Sequence, residues 1–116
     1  MQKYFVRSKD RNGSCYYEFY KGKWDSQTFW KDDSICIDDN DFCDCDFIDI
    51  LIKYVPNYDP FGETEITKHQ WEQIKADCIL SGGKTAAIVK EADKWMVDTF
   101  SKHPIFTYFR IIITAE

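Results

Sequence analysis

The sequence predicts an α+β fold: a single domain over residues 1–116 in which a mostly antiparallel sheet carries about three helices on one face. Three observations point there. Aromatic and β-branched residues crowd into short runs near the start, apolar residues between Phe47 and Phe100 recur at helical spacing, and nearly every residue from Ile105 to Ile113 is apolar or aromatic. A chain of 116 residues with 44% hydrophobic and 17% aromatic content buries about two-thirds of its unfolded surface without needing a disulfide or a metal.

The runs Tyr4 to Arg7 and Cys15 to Tyr20 flank Asp10-Arg11-Asn12-Gly13, whose Asn-Gly pair favours the positive φ of a tight reversal, so the two read as a β-hairpin. Lys21-Gly22-Lys23 is a second turn, and Trp24 to Trp30 a third antiparallel strand. On the second strand Cys15, Tyr17 and Phe19 share one face and Tyr16, Glu18 and Tyr20 the other. One face is core; the other is covered by a helix or presented to a partner. After an apolar step at Ile35 and Ile37, the residues Phe47, Ile48, Leu51, Ile52 and Val55 repeat as on a helix, with Asp41 and Asp44 in its first turn, a loop before it and Pro56 beyond its end. Val55 to Gly62 is a loop by its Pro, Gly, Asn and Asp content. Thr67 and Gln70 form a capping box, Trp71, Ile74 and Cys78 repeat on one face, and Ser81-Gly82-Gly83 stops this second helix. A third helix runs from about Thr85 to Phe100, with Ile88, Val89, Ala92, Trp95, Met96 and Phe100 as its apolar stripe. Pro104 closes it, and Ile105 to Ile113 reads as a central strand covered on both faces.

Charge is concentrated rather than spread. The chain carries 20 acids against 15 bases, a net of −5, yet Asp32, Asp33, Asp38, Asp39, Asp41, Asp44, Asp46 and Asp49 lie in one stretch that no Lys or Arg interrupts; setting those eight charges aside leaves +3. Such a patch meets something positive, a basic protein or a metal ion. The acidic balance disfavours direct nucleic-acid binding, which clustered Lys and Arg carry. No run reaches the length of a membrane span and none of signal-peptide length follows Met1, so the expected address is the cytosol. Five cysteines (Cys15, Cys36, Cys43, Cys45, Cys78) without a CxxC pair are expected as reduced thiols.

The constellations that suggest chemistry fall short of it. The Asp-rich loop lacks the alternate acids, the glycine and the closing Glu of an EF-hand, position twelve from Asp39 being Ile50. Cys36, Cys43 and Cys45, with Cys15 or Cys78, do not have zinc-knuckle spacing. Ser81-Gly82-Gly83-Lys84-Thr85 ends like a phosphate-binding loop, but Cys78 stands where the first glycine belongs and a helix precedes it. His69 and His103 lie in no motif. Arg110, the one charge in the terminal strand, is either an edge or snorkelling residue or a buried partner for an aspartate.

Three segments bear on function: Tyr16-Tyr17 with Phe19-Tyr20-Lys21-Gly22-Lys23-Trp24, the stretch from Glu65 to Ile74, and Glu91-Ala92-Asp93-Lys94-Trp95 running on to a Phe-rich terminal strand. In these the chain resembles the small acidic immunity proteins of bacterial polymorphic-toxin and contact-dependent inhibition systems. The resemblance implies an intracellular single-domain protein without catalysis or cofactor, which covers the active site or a nearby surface of a cognate toxin. A nuclease-like toxin with a basic cleft suits the acidic patch. The eight aspartates then steer association, and Trp30, Phe42 or Tyr58 supplies the anchors that hold the complex. The alternative is a small ligand-binding domain or enzyme whose pocket lies between sheet and helices and uses Tyr, Trp and His69 or Cys45.

Overall fold

The structure, a computed structural model, describes residues 3–12, 15–21, 34–59, 64–102 and 110–115, with only the backbone described for Tyr20, Lys21 and residues 97–102 and 110–115. In chain order the elements are β1 (Phe5–Arg7), β2 (Tyr16–Lys21), β3 (Ile35–Asp38), α1 (Asp39–Cys43), α2 (Phe47–Tyr54), β4 (Thr64–Thr67), α3 (Lys68–Ser81), α4 (Gly83–Lys102) and β5 (Arg110–Ala115). The fold is α+β, as expected: a five-stranded sheet in the order β1-β3-β2-β5-β4 with every pairing antiparallel.

The expected hairpin does not form. Both β1 and β2 pair with β3, Phe5 opposite Ile37 and Tyr17 opposite Ile37 from the other side, so β1 and β2 run parallel with β3 between them. Their connection must therefore cross two strand spacings, about 9.5 Å, which a tight Asn-Gly turn cannot do. It begins instead with a 3-10 turn over Ser8–Asp10. Asn12 is then stapled to Tyr16, whose hydroxyl accepts from the Asn12 amide (3.0 Å) and donates to its carbonyl (3.1 Å). The expected strand from Trp24 to Trp30 and the start of the terminal strand at Ile105 lie outside the described residues. Within them β5 is an interior strand between β2 and β4. Arg110 opens it opposite Thr67 of the edge strand β4, and its side chain is outside the description. β4 was not expected; Thr64 to Thr67 is too short for a periodicity to show.

Phe19 of β2 is the hub of the core. Its ring lies edge-on to Phe5, Phe42, Phe47 and Trp71 at centroid distances of 5.2, 5.9, 6.1 and 6.4 Å, the geometry that aromatic quadrupoles favour. Ile37, Ile66, Leu51, Ile74, Ile88, Val89 and Met96 close the same cluster. The opposite face of β2 and β3 is shielded too, since Tyr16, Glu18 and Cys36 are all buried. Burial pushes the Cys36 thiol up to about 12, with the Glu18 carboxylate adding to it.

Local chemistry sets the helices. The Thr67 hydroxyl accepts from the Gln70 amide (3.2 Å) and the Gln70 carbonyl oxygen from the Thr67 amide (2.9 Å), the reciprocal box expected of these residues. The Gln70 Nε2 also donates to the Tyr54 carbonyl (3.2 Å), satisfying an orphan acceptor at the end of α2. Gly82 and Gly83 both take positive φ, 75° and 56°, a backbone that side-chain-bearing residues resist. That reversal sends α4 back along α3. The two helices are then tied by Asp93, which accepts from Trp71 Nε1 (3.0 Å) and pairs with Lys75 (3.5 Å).

Candidate functional site: an acidic corner

The aspartate run was expected as a loop feeding one helix with Asp41 and Asp44 in its first turn. It is instead a strand end, a helix, a bend and a second helix. Asp38 closes β3 and caps α1, its carboxylate accepting from the Asn40 amide at 2.8 Å. Asp39 and Asp41 lie in the first turn of α1, where the positive end of the helix favours carboxylates. The chain bends through Asp44–Asp46, α2 follows, and Asp49 occupies its first turn. Two short helices thus set six carboxylates (Asp38, Asp39, Asp41, Asp44, Asp46, Asp49) on one corner.

The end of α3 and the start of α4 lock that corner. Lys84 pairs with Asp41 (3.1 Å) and Asp44 (3.3 Å), Ser81 Oγ donates to Asp46 Oδ2 (2.9 Å), and the Asp46 amide donates to Thr85 Oγ1 (3.0 Å). The Asp41 carboxylate, then Asp44, holds the Lys84 proton more tightly than usual, against the opposing pull of desolvation. Its ammonium also lies over the Tyr4 ring at 5.7 Å. These pairs are partly solvated, the Asp44 side chain being 81% exposed, so water and salt screen them and they add little to stability. Their effect is geometric. Ser81, Lys84 and Thr85, read from the sequence only as a failed phosphate loop, hold the bend between α1 and α2.

Behind the corner, the Cys43 thiol donates to Asp39 Oδ1 (3.3 Å) and lies 3.8 Å from the Tyr17 hydroxyl. Burial and then the Asp39 bond push Cys43 up; burial and then Cys43 raise the Tyr17 phenol; burial raises Tyr58. Every shift runs away from an activated nucleophile, whose thiolate or phenolate a catalytic setting stabilises. Among the described residues no three His, Cys, Asp or Glu side chains gather where they would hold a metal ion.

The expected anchors fare unevenly. Phe42 is wholly buried, its ring 4.8 Å from Tyr17 and 4.9 Å from Phe47, so it belongs to the core and cannot reach a partner; as the fourth residue of α1 it faces inward while the carboxylates face out. Tyr58 is half-buried with its hydroxyl enclosed, leaving only part of its ring for contact. Trp30, Asp32 and Asp33 lie outside the described residues. Of the residues named for a pocket between sheet and helices, His69 is exposed and Cys45 Sγ donates to the Phe42 carbonyl at 3.4 Å. Two hollows among the described residues lie along α4, one of them between that helix and strands β1 and β3, and neither is lined by His69 or Cys45. No helix among those residues is long and apolar enough to cross a membrane. Comparison with family models, with curated proteins and with solved structures gives no match to the chain.

Proposed function

We propose that the protein is a non-catalytic binding protein, an immunity-type inhibitor that neutralises a basic, nuclease-like toxin domain through its acidic corner. One observation carries the reading: six carboxylates share the corner, and Lys84 is the one cation paired with them among the described residues. The cap, the Lys84 clamp and the Ser81 bond hold Asp38, Asp41, Asp44 and Asp46 before any partner arrives, so little ordering entropy is lost there on binding. Fixed charge of one sign speeds encounter with a basic surface by 10- to 1000-fold, on the order of what steering commonly contributes. Phe42 lies in the core, which leaves the exposed Ile52 of α2 and part of the Tyr58 ring as the apolar contacts beside the acids.

The test uses the product of the adjacent gene as the partner. Asp38 and Asp41 are poor choices for charge reversal, because one caps α1 and the other is the nearer and less exposed partner of Lys84, Asp44 being the longer and more solvated of the two contacts. Asp44 and Asp49 are exposed, and Asp44→Lys/Asp49→Lys is expected to slow association at least about tenfold at low salt, with the difference shrinking as salt rises. An unchanged association rate in a double variant that still melts cooperatively, or no binding of that neighbour by the parent protein, overturns the reading.

A further inference from the structure

Opposite in sign to the acidic corner, a second surface follows α4. Gly83, Ala87, Lys90 and Lys94 recur at helical spacing on one side of that helix. Beside them is a hollow of about 750 Å³ whose walls include Ile79, Ala86, Ala87, Lys90, Lys94 and Lys3. A second hollow, about 460 Å³, continues between β1 and the far part of α4, against Phe5, Val6, Ile35 and Trp95. Lys3, Glu91 and Lys94 line both, so the two hollows adjoin along α4 as one shallow, trough-like surface. From Gly82 to Trp95 it extends about 20 Å at the helical rise, close to four turns of a helix laid alongside.

Its floor is apolar and its rim basic. Ile79 is 43% exposed at the lip, and the neighbouring Leu80 is 85% exposed. Gly83, Ala86 and Ala87 are small, so a second backbone can come close to α4. Glu91, the acid in the shared wall, is taken up by the fold: its two oxygens accept from the Tyr4 amide (2.9 Å) and the Phe5 amide (3.0 Å), which also blocks the start of β1 as an open sheet edge. Arg7 and Asp10, of opposite sign, both line the far end. Lys3, Lys90 and Lys94 pair with no acid among the described residues.

We propose that this trough docks an acidic amphipathic segment of a partner protein, its carboxylates on Lys3, Lys90 and Lys94 and its apolar side chains on Ile79, Ala86 and Ala87. Charge complementarity selects the acid, and the apolar floor selects the second face of the segment. The acidic corner of a second copy is the competing occupant, but with Phe42 and Phe47 buried in its own core it brings only Ile52 and part of the Tyr58 ring, short of an apolar stripe. The proposal is independent of the acidic corner's role, because the two surfaces call for partners of opposite charge.

A synthetic 15-residue helical peptide with glutamates on one face and leucines on the other, titrated into the isotope-labelled full chain, tests it. Saturable amide shifts at Gly82, Gly83, Ala86, Ala87 and Lys94 are expected. Affinity should fall at least about tenfold in Lys90→Glu/Lys94→Glu, where like charges face each other, fall less in Lys90→Gln/Lys94→Gln, and hold in Asp44→Lys/Asp49→Lys. Equal affinity in the first two variants overturns the proposal. So does equally tight binding of a poly-glutamate peptide, which shows charge attraction without a groove. A concentration-dependent dimer in sedimentation that shifts the same amides without peptide assigns the trough to a second copy and overturns it as well.

Discussion

Phe42 shows how burial overrides position in the sequence. It sits among aspartates, yet its ring closes the core against Tyr17, Phe19 and Phe47, because a five-residue helix on a sheet has room for one inward residue and the acids take the outer positions. Truncating it to Ala is expected to cost about 3–5 kcal/mol, the usual range for a buried Phe, measured by urea denaturation. Phe42→Leu, which keeps most of the volume, should retain the fold and the parent's association rate with a basic partner. A Leu variant that folds normally but binds more slowly would return Phe42 to the interface. At the same scale Lys84 reverses its apparent role: next to two glycines it suggests phosphate, but within reach of Asp41 and Asp44 it is a structural counter-charge.

Among elements, the contact between α2 and α3 has a specific pH dependence. Asp77 of α3 accepts from the Tyr54 hydroxyl (2.7 Å) and from Lys53 (3.0 Å), and the Tyr54 bond first, then Lys53, holds its carboxyl below the usual range. A carboxylate depressed on folding gives stability that is fully present above its unfolded pKa, about 3.9, and is lost as pH falls through the lower folded value. Asp77→Asn should therefore be less stable than the parent at neutral pH, with the deficit closing as the pH drops below about 4. Urea midpoints at pH 7, 4 and 2.5 measure it, and a deficit independent of pH would show that Asp77 acts through its shape and not its charge. The Thr67–Gln70 box at the head of α3 is local by contrast; it operates within four residues, and the pattern alone predicts it.

For the whole molecule, opposite charges are held on adjoining sides of α4: its first turn locks the acidic corner through Lys84 and Thr85, and its outer side carries Lys90 and Lys94. The five thiols, spread over sheet, α1, bend and α3, report how tightly this assembly is packed. Cys15 and Cys43 are exposed, Cys45 is half-buried, and burial pushes both Cys36 and Cys78 up to about 12. At pH 8 a thiol of that pKa is thiolate on the order of one part in ten thousand. Maleimide labelling followed by mass spectrometry should modify Cys15 first and Cys43 more slowly, because Asp39 accepts its proton in a hydrogen bond. Cys36 and Cys78 should react only in urea, and their rapid labelling in the native protein would contradict the packing of β3 and α3.

The sequence by itself determined the α+β class, the extent of α3 and α4 and the Gly82-Gly83 stop between them, since caps, helical periodicity and positive-φ glycines act between residues at most a few positions apart. The concentration of acids was equally plain, being a matter of composition. What only the tertiary structure decided is how distant pieces meet: β3 entering between β1 and β2 in place of a hairpin, Lys84 and Thr85 reaching back some 40 residues to the aspartates, Glu91 taking the amides of Tyr4 and Phe5 across 87 and 86 positions, and Phe42 turning inward. The reason is the same in each case. A strand has no preference among partners until the core it must cover is assembled, and a side chain's charge or ring acquires its role from whatever the packed chain places within a few ångströms of it.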